Sequence, residues 1–473
     1  MKYFETKDYM KRTIHHIHFI GIGGIGMSGI AEVLINLGYS VTGSDLQETD
    51  ITERLRSRGA RIFLGHDESF LGDADVVVTS TAISGCNPEV TEAKRRGTPV
   101  IPRAEMLAEL LKMKFSIAVS GCHGKTTTTS MISTILASGG LDPTMVIGGK
   151  LLNIGTNAHL GSGEIIVAEA DESDGSFLRL APLIAVITNI DREHLDYYEG
   201  IEDIKDAFIK FANSVPFYGF TIVCKDCGHI KEVLPLIKRR VISYGIETDA
   251  DYKAHDISFQ EMGSRFRLDY GGKMLGEVTL RVPGLFNVYN SMAAIAVARE
   301  MGMDFESIKR GIDLFQGVHR RLEIKGVIDD IVIVDDYGHH PTEIKETLQA
   351  ARQIWKGKIT VVFQPHRYTR TQALFKEFLS VFNDADSVIL TDIYAASEKE
   401  ITGIHSEILC KAIKEAGHPD TVYISDFGMI VKRLSEKLNP TDTILTLGAG
   451  NVWKIGEELL KTLQQAKERQ PLR

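Results

Sequence analysis

Cysteine is scarce here, with five in 473 residues (Cys86, Cys122, Cys224, Cys227 and Cys410). An odd, sparse set cannot build a disulfide framework, so a reducing compartment, the cytoplasm, is expected. Basic residues also fall short: 54 Lys and Arg face 63 Asp and Glu, a net charge of -9. Without a cationic excess to offset a phosphate backbone, nucleic acid is not expected as a partner. No apolar run approaches the ~18 residues that a membrane span needs. The stretch from Met1 to Arg12 is charged rather than apolar, so neither a secretory signal nor membrane insertion is expected. What remains is ordinary globular material, 43% hydrophobic and 25% charged, in a chain long enough for two to four domains.

Strand-turn-helix patterns begin three times along the chain. The first has a strand-like run from Ile14 to Ile20, a glycine-rich turn, and a helical pattern to Leu37 that Gly38 closes. The second restarts near Lys112, with a strand from Phe115 to Val119, a turn at Gly121 to Thr126, and a helix to Ala137. Alternating polar and apolar positions over 255–282 predict an antiparallel hairpin or meander inside this unit. The third follows Arg320-Arg321, with strands at Ile331 to Val334, Lys358 to Phe363, Val388 to Thr391 and Ile444 to Leu447. The alternation predicts three α/β domains, each a mostly parallel sheet flanked by helices, over residues 1–112, 113–322 and 323–473.

Two glycine loops carry the first chemical signal. Gly21-x-Gly23-x-x-Gly26, with Asp45 further on, permits a tight turn and close backbone approach to a phosphate at a helix N-terminus. Nicotinamide dinucleotide, a diphosphate on another nucleotide, and a plain structural turn all satisfy it. The second loop is Gly121-Cys122-His123-Gly124-Lys125-Thr126. There Lys125 can neutralise nucleotide phosphates and the Thr126 hydroxyl can hold magnesium. It has two residues between its glycines where the general pattern has four.

Further candidates cluster at predicted strand ends, where α/β sheets place their chemistry. Glu169 ends a buried-type strand and suits a magnesium ligand, whereas Glu172 and Asp174 read as a solvated acidic loop. His194 follows the next strand and could meet a metal or a phosphate. Asn287 and Asn290 lie one helical turn apart and can read a base edge, with helix capping as the alternative. Arg320, Arg321 and the Asp335-Asp336 pair stand at the start of the third unit, where closure on a nucleotide would place them. His366-Arg367-Tyr-Thr-Arg370 is a cationic group for a carboxylate or a transferring phosphate. Cys224-Lys-Asp-Cys227-Gly-His229 is metal-like in spacing but lacks a second pair and reads as incidental.

Taken in order, these motifs resemble the Mur ligases of peptidoglycan synthesis. The matching stretches are Gly21-Ile-Gly-Gly-Ile-Gly-Met-Ser28, Gly121-Cys-His-Gly-Lys-Thr-Thr127, Ala168-Glu-Ala-Asp-Glu-Ser173, Asp191-Arg-Glu-His194, Phe286-Asn-Val-Tyr-Asn290, Arg321-Leu-Glu323 and Asp335-Asp-Tyr-Gly-His-His-Pro341. They span nearly the whole chain, and the shortened second loop is itself a family trait. The resemblance implies a Rossmann-like first domain, a phosphate-loop ATPase-like second and a Rossmann-like third. It implies ATP-dependent joining of L-alanine to the carboxylate of UDP-N-acetylmuramate through an acyl phosphate, with Mg2+.

Under that resemblance Gly121, Cys122, His123, Gly124, Lys125, Thr126, Thr127, Asn287, Asn290, Arg321 and Asp336 surround ATP. Thr126, Glu169 and His194 hold the metal, and Lys125, Glu169, His194, Arg321 and Asp336 are the catalytic set. Arg321, rather than Arg320, fits the family's Arg-Leu-Glu spacing. Tyr337, His339, His366, Arg367 and Arg370 face the amino acid. Gly21, Gly23, Gly24, Gly26 and Ser28 lie at the UDP-sugar diphosphate, with Asp45, His66, Ser80, Thr81 and Arg103 around the nucleotide-sugar. Some family members use a carbamylated lysine; Lys205 and Lys210 are nearby in sequence, and neither is assigned.

Three other readings are set against this one. A sister ligase attaches a tripeptide to the same UDP-sugar, but the Gly-Ile-Gly-Gly-Ile-Gly-Met loop favours the alanine enzyme. An NAD-dependent oxidoreductase predicts nicotinamide binding, and a non-catalytic nucleotide switch predicts ATP binding without substrate-dependent phosphate release. Glu169, His194 and Arg321 together argue against both.

Overall fold

A computed structural model describes residues 10–469, apart from residues 11, 81, 148–157, 196, 261, 397 and 419. Thr81, one of the nucleotide-sugar candidates, falls outside the described residues.

Short apolar, β-branched runs form three sheets, as the sequence pattern predicts. The first has β1 (His16–Ile20), β2 (Ser40–Asp45), β3 (Arg61–Leu64), β4 (Val76–Thr79) and β5 (Val100–Pro102) in the order 3-2-1-4-5, all parallel. The strand order reverses beside β1, and the glycine loop emerges at that point, where α/β sheets hold their ligands.

The central sheet takes β6 (Phe115–Ser120), β7 (Thr144–Val146), β8 (Ala158–His159), β9 (Ile165–Glu169), β10 (Ile184–Ile187), β11 (Phe220–Cys224) and β12 (Arg240–Gly245). It continues into β13 (Tyr252–Gln260), β14 (Gly263–Tyr270) and β15 (Lys273–Leu280), the expected antiparallel meander. In the order 15-14-13-12-11-10-6-9-7-8, β6 sits between β10 and β9. The ends of all three strands therefore converge on the second glycine loop.

The third sheet has β16 (Glu323–Ile328), β17 (Ile331–Asp336), β18 (Ile359–Phe363), β19 (Ser387–Leu390), β20 (Thr421–Tyr423) and β21 (Thr443–Leu447). Their order is 16-17-21-18-19-20, with only β16 antiparallel.

Packing divides the molecule differently from the sheets. The first and second units share one continuous apolar core, reaching from Ile17 to Val318. The third has separate cores on the two faces of its own sheet. Ile344, Leu348 and Ala351 on the helix Pro341–Ile354 fill one of these. The N-terminal end of that helix meets the central domain through polar groups, a boundary suited to relative movement.

Candidate functional site

Gly121 and Gly124 adopt φ of +134° and +80°, in the region that L side chains avoid. A Cβ at Gly121 would lie 2.0 Å from Thr188 Oγ1, and one at Gly124 would lie 2.4 Å from Asn290 Oδ1. The glycines are thus required by both backbone and space. Gly124 is the N-cap of the helix Lys125–Ser138, and no side chain caps it, so its first N–H groups face the loop as an anion site.

Beside this loop the Thr126 hydroxyl donates to Glu169 Oε2 at 3.0 Å. The Lys125 ammonium donates to Gly121 O and to Glu172 Oε1, each at 2.7 Å. Burial alone would lower the Lys125 pKa, but the carboxylates of Glu172, Glu169 and Asp171 outweigh it and raise it. His194 Nε2 is 3.1 Å from Glu172 Oε1. Glu172 is therefore not the solvated loop residue its sequence suggests. It is 1% exposed and joins Lys125 to His194. The expected metal set divides: Thr126 and Glu169 pair directly, while His194 groups with Glu172 and Glu193.

A cavity of about 390 Å³ opens between the loop and the third domain. His123, Gly124, Thr126, Thr127 and Asn290 line it from one side, and Arg321, Asp336 and Glu343 from the other. Arg321 and Asp336 belong to the cavity, whereas the adjacent residues are structural. Arg320 bonds to Asp335 and to the carbonyls of Gly448 and Gly450, at 2.8, 2.6 and 3.3 Å. Asp336 accepts from the N–H groups of Leu322 and Gly338, at 2.8 and 2.7 Å. Its burial pushes its pKa up to about 6.

The two asparagines are satisfied in series. Asn290 accepts from Thr128 and donates to Asn287, which donates to Pro283 O. Asn290 lines the cavity, and Asn287 supports it from behind.

The amino-acid candidates meet at Glu193. Its Oε1 lies 3.3 Å from Arg370 Nη2 and 3.6 Å from His339 Nε2. Arg370 also donates to His366 Nδ1 at 3.0 Å. Burial and the neighbouring His339, Arg370 and Arg367 hold the His366 pKa down at about 3. His366 is then neutral, so the cationic character expected of this group comes from its arginines. Tyr337 packs under both Arg320 and Arg321, whose guanidinium carbons lie 5.0 and 5.4 Å from its ring centre. Arg367 takes φ +68° at the start of the helix Tyr368–Ala373.

In the first domain Gly24 caps the helix Ile25–Asn36, on which Ser28 is buried. Asp45 accepts the Gly23 N–H at 2.8 Å and so braces the loop itself. Arg103 lies against Gly26: a Cβ there would stand 2.6 Å from its Nη1. Arg103 also reaches Asp171, in the acidic stretch after β9 of the central domain, at 3.3 Å. His66 meets the buried Glu89 at 2.7 Å, and Glu89 also holds His18 and Ser44. Ser80 is half-buried just after β4.

Residues 16–115 match the Mur ligase family catalytic domain, 119–298 the Mur ligase middle domain, and 320–450 the Mur ligase glutamate ligase domain. The chain belongs to the Mur ligase family. A UDP-N-acetylmuramate–L-alanine ligase of Syntrophus aciditrophicus is 61% identical over 99% of this chain and 98% of its own. The crystal structure of UDP-N-acetylmuramate-alanine ligase MurC from Thermotoga maritima is 29% identical, with a TM-score of 0.81, covering 95% of this chain and 99% of that one. A murein peptide ligase from Psychrobacter arcticus shares the fold at 24% identity, with a TM-score of 0.71 and coverage of 95% and 98%.

Within this Mur ligase, sequence reasoning passed over Glu172, Glu193 and Glu343 as site residues. Glu193 stood inside the Asp-Arg-Glu-His stretch and was available from that motif. Glu343 stands three residues after His340, the capping-box spacing that fixes a helix start. The Cys224-to-His229 segment belongs to the cavity wall through Cys224, Asp226 and Cys227, while His229 faces Glu232 instead. Lys205 pairs with Glu202 and Glu232, apart from the loop.

Proposed function

We propose that this chain is an ATP-dependent ligase that joins L-alanine to the carboxylate of UDP-N-acetylmuramate. The relatives named above support the substrates. The observation that carries the reading is one cavity edged by the second glycine loop, Thr126, Arg321 and Asp336, with Glu169 bonded to Thr126.

A carboxylate is a poor acyl donor because its leaving group would be oxide. Attack of its oxygen on the γ-phosphorus of ATP gives an acyl phosphate and ADP. The neutral amine of alanine then attacks the acyl carbon, and the tetrahedral adduct expels phosphate. Two polyanions must meet for the first step, so cationic groups control it. Lys125 leaves Glu172 for the nucleotide phosphates, and Arg321 approaches from the third domain. Arg103 stands at the diphosphate of the UDP-sugar beside Gly26. Arg370, held by Glu193, receives the alanine carboxylate, and the neutral His366 adds hydrogen bonding without charge.

The hard oxygen donors of Thr126 and Glu169 fit Mg2+, and His194 connects to the neighbouring Lys125 through Glu172. Bound there, Mg2+ supplies charge neutralisation for the transferring phosphoryl group.

The deciding assay is phosphate release from ATP with UDP-N-acetylmuramate, with each amino acid present or omitted. Alanine should support turnover, and preference for a tripeptide would transfer the chain to the sister activity.

A further inference from the structure

Glu89, near the start of the helix Pro88–Arg96, is fully buried in the first domain, and no step of the ligase reaction uses it. A carboxylate closed off from water must be met by donors. Its Oε2 lies 2.6 Å from His18 Nε2, and its Oε1 lies 2.7 Å from His66 Nδ1. The Ser44 hydroxyl donates to Oε1 at 2.9 Å. One acid thus gathers a side chain from β1, one from β2 and one from the segment after β3.

An ionised carboxylate only accepts hydrogen bonds, so both imidazoles must turn an N–H toward it. His18 is closed on its other side by Thr42 Oγ1, 2.8 Å from Nδ1. His66 gives its Nδ1 proton to Glu89. Ser44 Oγ lies 3.1 Å from the same nitrogen, but a hydroxyl both gives and takes and cannot by itself hold the proton there. With that proton held on Nδ1, a neutral His66 carries a lone pair on Nε2. Among the described residues nothing hydrogen-bonds Nε2, and the side chain is 18% exposed.

His66 stands at the ligand edge of the sheet, where strands end. Leu64 at the end of β3 pairs with Asp45 at the end of β2, and the Gly65 N–H donates to Asp45 O at 2.8 Å. Asp45 braces Gly23, and the Ser44 carbonyl accepts the Gly21 N–H at 2.8 Å. The end of β2 therefore fixes the first glycine loop and the Glu89 group together.

We propose that Glu89 is a positioning residue for the UDP-sugar: by holding the Nδ1 proton of His66 it fixes Nε2 as an acceptor, which selects a hydrogen-bond donor of the uridine, the uracil N3–H or a ribose hydroxyl. This inference rests on the ligase reading, because it needs a UDP-sugar on the first domain.

The test reads the His66 ring directly. Long-range 15N–1H correlation spectra of the full chain labelled in histidine, at about pH 8.5 and so above the ordinary histidine range, should place the proton on Nδ1. The signal is assigned by its absence from His66→Gln. Calorimetric titration should then show UDP binding at least about tenfold more tightly than one of N3-methyl-UDP, 2′-deoxy-UDP and 3′-deoxy-UDP, and the analogue that loses affinity identifies the donor. Glu89→Met, which offers no acceptor, should populate both ring tautomers and lose that discrimination. Its KM for UDP-N-acetylmuramate should rise about tenfold while kcat falls less than about threefold. A proton on Nε2 in wild type would overturn the assignment, as would equal binding of UDP and all three analogues. A folded Glu89→Met that keeps the wild-type discrimination would do the same. Should Glu89→Met not fold, the wild-type spectra and titrations decide alone. A wild type that binds no UDP refutes the ligase reading and this inference together, whereas UDP binding beside an Nε2–H ring refutes this inference only.

Discussion

The Thr342 hydroxyl, at the start of the third domain's helix 341–354, donates to Asp191 Oδ2 of the central domain at 2.8 Å. The same oxygen lies 3.0 Å from His123 Nε2 on the phosphate loop, whose Nδ1 is 3.4 Å from Glu343. One carboxylate oxygen thus ties the second glycine loop to the third domain. Replacing it should uncouple nucleotide binding from closure. Asp191→Asn is expected to lower kcat by about 10²-fold, the scale of a modest misplacement of reacting groups. Small-angle scattering should show that the variant stays expanded when the ATP analogue is added. A variant as compact and as active as wild type would remove Asp191 from this role.

The latch should also depend on pH. Burial alone would lower the His123 pKa, but hydrogen bonding to Asp191 and Glu343 outweighs it and raises the value well above that of free histidine. A group with a raised folded pKa contributes fully below its unfolded value of about 6.5 and loses that contribution as pH rises through the folded value. Nucleotide-induced compaction should therefore fade on the alkaline side. The scattering radius with analogue bound, followed against pH, should show this step in wild type and lack it in His123→Gln.

From sequence alone Lys125→Ala is expected to remove activity and leave the fold intact, since the residue faces ligand rather than core. The contact with Glu172 reverses that expectation. Removing the ammonium leaves a buried carboxylate without its cation, which costs about 3–5 kcal/mol when an ion pair is broken from one side. Lys125→Ala should therefore melt well below wild type, and Lys125→Met with Glu172→Gln should recover much of the loss. Both proteins should lack ATP turnover. A single variant as stable as wild type in thermal denaturation would contradict the pairing.

Asp226 tests the far wall of the cavity. It accepts the N–H groups of Ile246, Glu247 and Thr248 and the hydroxyls of Thr248 and Tyr289. Burial would raise its pKa, but these bonds outweigh it and hold the carboxyl down at about 2. Its contribution is then present above the ordinary carboxylate pKa of about 3.9 and is lost as pH falls through the folded value. Asp226→Ala should cost about 1–3 kcal/mol in urea unfolding at neutral pH. Because Tyr289 lines the cavity, KM for ATP should rise while kcat changes little. A fall in kcat alone would argue against this placement.

The parts of the site legible in sequence are those written locally. A strand, a glycine turn and a helix declare Gly121 to Thr126 within a dozen residues, and Glu169 follows a recognisable buried strand. The alternation over 255–282 likewise revealed the meander, because each strand there alternates between a packed and an open face. Glu172 was not legible. An Asp-Glu-Ser-Asp run looks solvated, and its burial depends on Lys125 and His194, both distant in sequence. Arg103 and Asp171 meet only because two sheets share one core. His366 reads as cationic beside two arginines, yet those arginines and its burial are what keep it neutral. In each case the local motif was informative, and the missing information was a long-range partner.

In the proposed reaction, ATP is spent only when both halves of the peptide bond to be made are present. Steady-state phosphate release from ATP and Mg2+, measured with UDP-N-acetylmuramate and L-alanine together and with each omitted in turn, decides it. Release should be sustained with the full set and lost when either partner is withheld. Equal release without the UDP-sugar, or none with the full set, would contradict it.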